Sequence, residues 1–135
     1  MKGEGGVPRE DRVLREGRGW RYGHDPDRVH HSVLIAGDHW ATELSRSEAE
    51  GLKRLVGRLL TQHGELADQL MAEESITICA EEGDWWLELE GDREAWSLRF
   101  VLSGGPEGTG RGVEGFWPAP AAMAMARALL NDGGW

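Results

Sequence analysis

The chain is short of most features that announce a chemistry. Of its 135 residues only Cys79 is a cysteine. One cysteine excludes an internal disulfide and a cysteine-based zinc site, and it fits a reducing cytoplasm. No apolar run approaches the roughly 18 residues that a membrane-spanning helix needs, and residues 1–6 carry no apolar segment of the kind that marks a signal peptide. No phosphate-binding Gly-x-x-x-x-Gly-Lys-Ser/Thr loop, nucleophile elbow or dinucleotide fingerprint occurs after a strand-like segment. The glycine-rich stretch 103–110 joins two strand-like segments, so it lacks the helix N-terminus that cradles phosphate. Positive charge is also scarce. Fifteen Lys and Arg face 24 Asp and Glu, a net charge of −9.

That acidity is unevenly placed. Residues 74–96 hold eight acidic groups and one basic, net −7, while residues 1–31 are close to neutral at net +1. A phosphate backbone is repelled by the acidic stretch, which disfavours nucleic acid as a partner. Its glutamates read as the solvated face of a sheet.

What is present is architecture. Residues 75–80, 85–90 and 96–102 alternate apolar and polar side chains, and residues 112–117 follow more weakly. Together they predict an antiparallel meander holding four of the seven tryptophans. Trp85, Leu87 and Leu89 share one face, as do Trp96, Leu98, Phe100 and Leu102. Gly83-Asp84 and Gly91-Asp92 supply turns. Upstream, residues 32–36 and 39–44 predict a hairpin about a two-residue Gly37-Asp38 loop, with Gly37 supplying the positive φ of a primed turn. Residues 20–22 open the ordered domain, and His24-Asp25-Pro26-Asp27 is turn chemistry.

Ser45-Arg46-Ser47-Glu48 is a capping box. Leu52, Leu55, Val56, Leu59 and Leu60 recur behind it at helical spacing. Leu66, Leu70 and Met71 resume that spacing after Gly64, where the helix is expected to bend or restart. Pro118 and Pro120 end the last strand and open a C-terminal helix. The elements predict an α+β fold, β-β-α-β-β-β-β-α, a twisted antiparallel sheet packed by one long helix and a C-terminal helix. Residues 1–16 read as a flexible arm and 17–132 as a single domain.

Gly19-Trp20-Arg21, Leu34-Ile35-Ala36-Gly37, Trp40-Ala41-Thr42-Glu43-Leu44, Leu70-Met71-Ala72-Glu73-Glu74, Trp86-Leu87-Glu88-Leu89-Glu90-Gly91, Ser97-Leu98-Arg99-Phe100 and Glu114-Gly115-Phe116-Trp117 occur in that order. Together they resemble a small cyanobacterial family catalogued as domain of unknown function 1818. The resemblance spans roughly residues 17–130. It implies a Whirly-like fold, grouped with single-stranded-DNA-binding transcriptional regulators, in which four-stranded sheets pack helices that mediate oligomer contacts. It implies no catalytic residue, and a shared fold does not imply nucleic-acid binding.

The chemical signals are weak beside the architecture. His24, His30, His31 and His39 lie near Asp25, Asp27 and Asp38 in sequence, but His30 and His31, read as a strand start, point to opposite faces and work against a tetrahedral site. They read as surface histidines, and no metal or cofactor is assigned. Glu43, Glu88 and Glu90 read as solvated rather than as a general acid and base. Cys79 reads as a packed, unreactive thiol. No enzyme is expected; a small metal-dependent enzyme is the third reading, after a binding module and a single-stranded nucleic-acid binder.

Two surfaces remain. Ala119 to Leu130 holds six alanines, two methionines and two leucines with Arg127 its only charge, more apolar surface than one buried stripe requires. That makes Met123, Met125 and Leu129 candidate contacts for a protein partner or a second copy of the chain. Arginines interleave with aromatics near the N-terminus, so Arg18, Trp20, Arg21 and Tyr22 are the candidate contacts if single-stranded nucleic acid is bound. The leading expectation is a non-enzymatic binding or scaffolding module in the cytoplasm, with no membrane partner.

Overall fold

The computed structural model of the protein describes residues 12–104 and 112–133. It is α+β, with the two helices and the antiparallel pairing expected. Two strands precede the expected hairpin, and the strands divide into two sheets rather than one. The first sheet runs in the order β1 (Val13–Gly17), β2 (Trp20–His24), β3 (Val33–Ala36), β4 (Ala41–Leu44). The second runs β5 (Ile76–Glu82), β6 (Trp85–Gly91), β7 (Trp96–Leu102), β8 (Val113–Trp117). Each sheet is followed by a helix, α1 (Arg46–Ala67) and α2 (Ala121–Asn131). The chain is therefore a ββββα unit repeated.

The helices are exchanged between the units. α1, which follows the first sheet, packs mainly on β5 and β6 of the second. α2 packs on β1 and β2 of the first sheet, as well as on β7 and α1. Neither unit closes its own core, so both must be in place for the single apolar cluster between the sheets to form.

β1 begins inside the stretch read as an arm, and residues 1–11 of that stretch lie outside the described residues. The strand escapes a pattern search because Leu14, Arg15, Glu16 and Gly17 are all exposed. Its hairpin with β2 turns on Arg18-Gly19, where Gly19 takes φ +85°. The Gly83-Asp84 turn is as expected, with φ +60° at Gly83, the first central position of a two-residue hairpin loop.

The Gly37-Asp38 loop differs from its expectation. Ala36 pairs with Ala41, so four residues form the loop, and Gly37 is not among the positive-φ glycines. Its role is space. A Cβ there would lie 2.3 Å from the Trp40 indole nitrogen.

The capping box forms as read: the Glu48 amide donates to the Ser45 hydroxyl (3.1 Å) and the Ser45 amide to the Glu48 carboxylate (2.8 Å). α1 passes through Gly64 without interruption and ends at Ala67, so Leu70 and Met71 do not extend it. His63 is its last buried residue; beyond it the helix turns no face to the core, and Leu66 and Met71 are exposed.

The core is the expected one. Trp85, Leu87, Leu89, Leu98 and Phe100 lie together with Leu52, Leu55 and Leu59 of α1. Where the sheets meet, Trp40 reaches across from the first to the second. Its ring centroid lies 5.4 Å from Phe100 and 5.1 Å from Trp117. Trp117 answers by donating from Nε1 to the Ala36 carbonyl (2.9 Å).

Candidate functional site

Two features stand out from the bulk of the fold, one buried and one on the surface. The buried one is a polar latch. Asp132 caps the C-terminus of α2, and its carboxylate Oδ2 accepts from the Tyr22 hydroxyl (2.5 Å) and lies 2.7 Å from His24 Nδ1. All three side chains are buried. The Asp132 backbone carbonyl accepts from Lys53 Nζ (2.5 Å). The latch thus ties β2, α1 and the end of α2 together, across the helix exchange.

Burial pushes the Tyr22 phenol far above its usual value of 10.0, and the hydrogen bond to Asp132 and that carboxylate's charge push the same way. Ionising it would place two negative oxygens side by side in a low-dielectric interior. The contribution to stability is therefore complete below the unfolded-state value near 10 and is lost as pH rises above it. Tyr22 is the chain's only tyrosine, so tyrosinate absorbance reports it alone. We expect that absorbance to appear together with alkaline unfolding rather than before it. Tyr22→Phe should cost about 1.5–3 kcal/mol at neutral pH, the range for a hydrogen bond to a charged group, and should flatten the alkaline fall in stability. Free titration of the phenol near pH 10 in folded protein would contradict the latch.

The surface feature is the outward face of the second sheet. Cross-strand register sets Glu81, Trp86, Val101 and Glu114 in one row, Cys79, Glu88, Arg99 and Phe116 in the next, and Thr77, Glu90 and Ser97 in a third. Both helices lie on the other side, against the core, so neither α1 nor α2 covers this face. Glu81, Glu90, Glu114 and Phe116 are exposed, and Trp86 and Glu88 are half-buried. Among the described residues Arg99 is the face's one cation. It stands 5.4 Å from the Phe116 ring centroid and 3.9 Å from the Glu88 carboxylate. Beside β8 the face runs into a groove of about 410 Å³ lined by His39, Trp40, Arg99, Glu114 and Phe116. Trp40 Nε1 donates to the Phe116 carbonyl (3.3 Å) and ties the groove's two walls together.

Cys79 is exposed on this face rather than packed as expected, because it shares the outward parity of Thr77 and Glu81. Its thiol is nevertheless held up, first by partial desolvation and then by the charge and hydrogen bond of Glu88. Slow alkylation at neutral pH follows.

The candidate residues distribute as follows. Met125 and Leu129 have no exposed surface and sit in the chain's own core, so they offer nothing to a partner; Met123 is half-buried beside them. The excess apolar surface of α2 is used within the chain, because the helix touches the first sheet, β7 and α1 together. Arg18 and Arg21 are exposed and Trp20 is half-buried, but Tyr22 is fully buried and cannot stack on a base. His24 is buried in the latch rather than on the surface, and His30 and His39 are exposed. Neither His30 nor His31 lies on a strand. Glu43 is engaged by Arg28 at 3.0 Å. No group of three or more His, Cys, Asp or Glu suited to a metal occurs among the described residues.

A non-local latch and an acidic, aromatic sheet face on a doubled ββββα scaffold define an α+β protein without a recognisable reaction centre among its described residues. The chain belongs to the family described as a domain of unknown function (DUF1818), whose model matches residues 15–131. A crystal structure of a protein with unknown function, assigned in its own description to the DUF155 family and from Prochlorococcus sp. NATL2A, is 36% identical. It superposes with a TM-score of 0.81 over 87% of this chain and 95% of that one. No curated protein matches the chain. Both the family and the solved relative are described as of unknown function. No helix among the described residues is long and apolar enough to cross a membrane.

Proposed function

We propose that the protein is a non-enzymatic binding module of Whirly-like architecture that acts through protein–protein contact in the cytoplasm. The doubled ββββα unit with exchanged helices supports the architecture, since the fold group it resembles packs four-stranded sheets with helices. The observation that carries the function is the uncovered outward face of the second sheet. There, half-exposed Trp86 and exposed Phe116 stand among Glu81, Glu88, Glu90 and Glu114. Carboxylates alone are a solvated face. Accessible aromatics set among them suit a lysine- and arginine-rich segment of a partner protein, whose charges meet the glutamates while its stems and cations lie on the rings.

The same face argues against the alternative, a single-stranded nucleic-acid binder, because it repels phosphate. Tyr22, one of the aromatics that reading needs, is buried.

Titration of the wild type with basic peptides and, separately, with a single-stranded oligonucleotide tests the reading. Salt-sensitive peptide binding is expected, weakened in Glu88→Gln/Glu90→Gln and in Trp86→Ala. Saturable quenching of tryptophan fluorescence by the oligonucleotide, reversed by salt, would favour the nucleic-acid reading. A dimer that Trp86→Ala dissociates would make a second copy the occupant.

A further inference from the structure

A hollow of about 380 Å³ lies between β1, β2 and the exposed side of α2, away from the acidic face. Arg15 on β1, Trp20 on β2, and Arg127 and Asn131 on α2 supply its polar lining, with Ala124 and Ala128 as small apolar neighbours. The Trp20 indole sits against its cross-strand partner Gly17, where a Cβ would come within 2.5 Å of Nε1. Glycine at that position is what lets the ring approach the β1 backbone this closely.

Four of the residues that line the hollow carry hydrogen-bond donors that the described residues leave unused. The indole nitrogens of Trp40, Trp85 and Trp117 each donate to a backbone carbonyl. Trp20 Nε1, the two guanidiniums of Arg15 and Arg127, and the Asn131 amide have no partner among the described residues. The one carboxylate in the lining, Asp132, is turned to Tyr22 and His24. It subtracts a charge, and the C-terminal end of α2 subtracts a further fraction. Two guanidiniums still leave the rim positive. An occupant must bring acceptors and negative charge, and the indole face and alanines suit a flat ring. The volume is in the range of small-molecule sites.

We propose that this hollow is a binding site for a small anion that carries an aromatic ring. The anionic group lies between Arg15 and Arg127, and the ring lies against Trp20. The ligand's phosphate or carboxylate is the shared chemistry, and the choice of probes separates the two.

The test follows the Trp20 indole N–H resonance in the full-length protein during titration with adenosine monophosphate, benzoate, adenosine and inorganic phosphate. Saturable shifts with adenosine monophosphate, with benzoate, or with both support the site; whichever binds identifies the anion. Adenosine and inorganic phosphate should bind at least about tenfold more weakly, since each lacks one half of the ligand. Arg127→Gln and Arg15→Gln, both at exposed positions, should each weaken the better probe by about tenfold, and Arg46→Gln on α1 should leave it unchanged. The proposal is overturned by the absence of a saturable shift with either aromatic anion at millimolar concentration. It is equally overturned if inorganic phosphate alone binds as well, or if affinity is unaltered in both arginine variants.

Discussion

Phe100→Ala should lower stability by about 3–5 kcal/mol, the cost of removing a large buried ring, and the thermal midpoint by roughly 10–20 °C. The expectation is at the high end because the ring is a keystone. Its centroid lies 5.4 Å from Trp40, 5.6 Å from Trp85 and 5.4 Å from Trp117. Trp40 belongs to the first sheet's loop, Trp117 to the second sheet, and Trp85 anchors α1 by donating from Nε1 to the Glu48 carbonyl (2.8 Å). The site is too rigid to collapse around an alanine, because Gly115 already lets the ring press on the backbone: a Cβ there would fall 2.5 Å from it. Calorimetry gives the loss directly. An unchanged midpoint would mean that β7 presents its other face to the core.

How much of this was legible in the sequence depended on whether the signal was local. β5 to β7 were readable because each alternates with period two, most cleanly in the unbroken face of Trp96, Leu98, Phe100 and Leu102, and β8 followed from its place after them. α1 was readable because its cap and its stripe agree. β1 was not, since a short edge strand exposes nearly all its side chains and leaves no alternation. The split into two sheets was also hidden, because register within each hairpin is local while the exchange of helices is set by packing over the whole chain.

Glycine misled for a related reason. Gly37 reads as a turn residue, yet Gly17, Gly37 and Gly115 each lie under an aromatic ring that a Cβ would strike. The clue lay three residues away in the first two cases, at Trp20 and Trp40, but on a neighbouring strand in the third, at Phe100. The latch had no sequence signal at all. Tyr22 and His24 stand 110 and 108 positions from Asp132, and an aspartate before two glycines reads as an ordinary helix stop. The acidic face was legible as charge in residues 74–96, whereas its aromatic members became a surface only when register placed Phe116 beside Arg99.

Met125→Glu should leave the chain unfolded. The wild-type side chain has no exposed surface and shares the core with Ala122, Ala126 and Leu129 of the same helix. A carboxyl there must either ionise in an apolar medium or fold protonated with its hydrogen bonds unmade, and either route costs about 5 kcal/mol or more with the strain of a changed shape. That is comparable to the whole stability of a domain, about 5–15 kcal/mol. Because α2 packs on the first sheet and on β7, its loss opens both units at once, so circular dichroism should show loss of sheet as well as helix. Met123→Glu is the internal comparison: half-buried at the edge of the same cluster, it should fold and cost no more than about 1 kcal/mol. Sedimentation of the two variants beside the wild type separates core from interface. A folded, monomeric Met125→Glu derived from a dimeric wild type would place the methionine between subunits and overturn its assignment to the core, whereas an unfolded Met125→Glu beside a folded Met123→Glu assigns the apolar surplus of α2 to the chain's own interior.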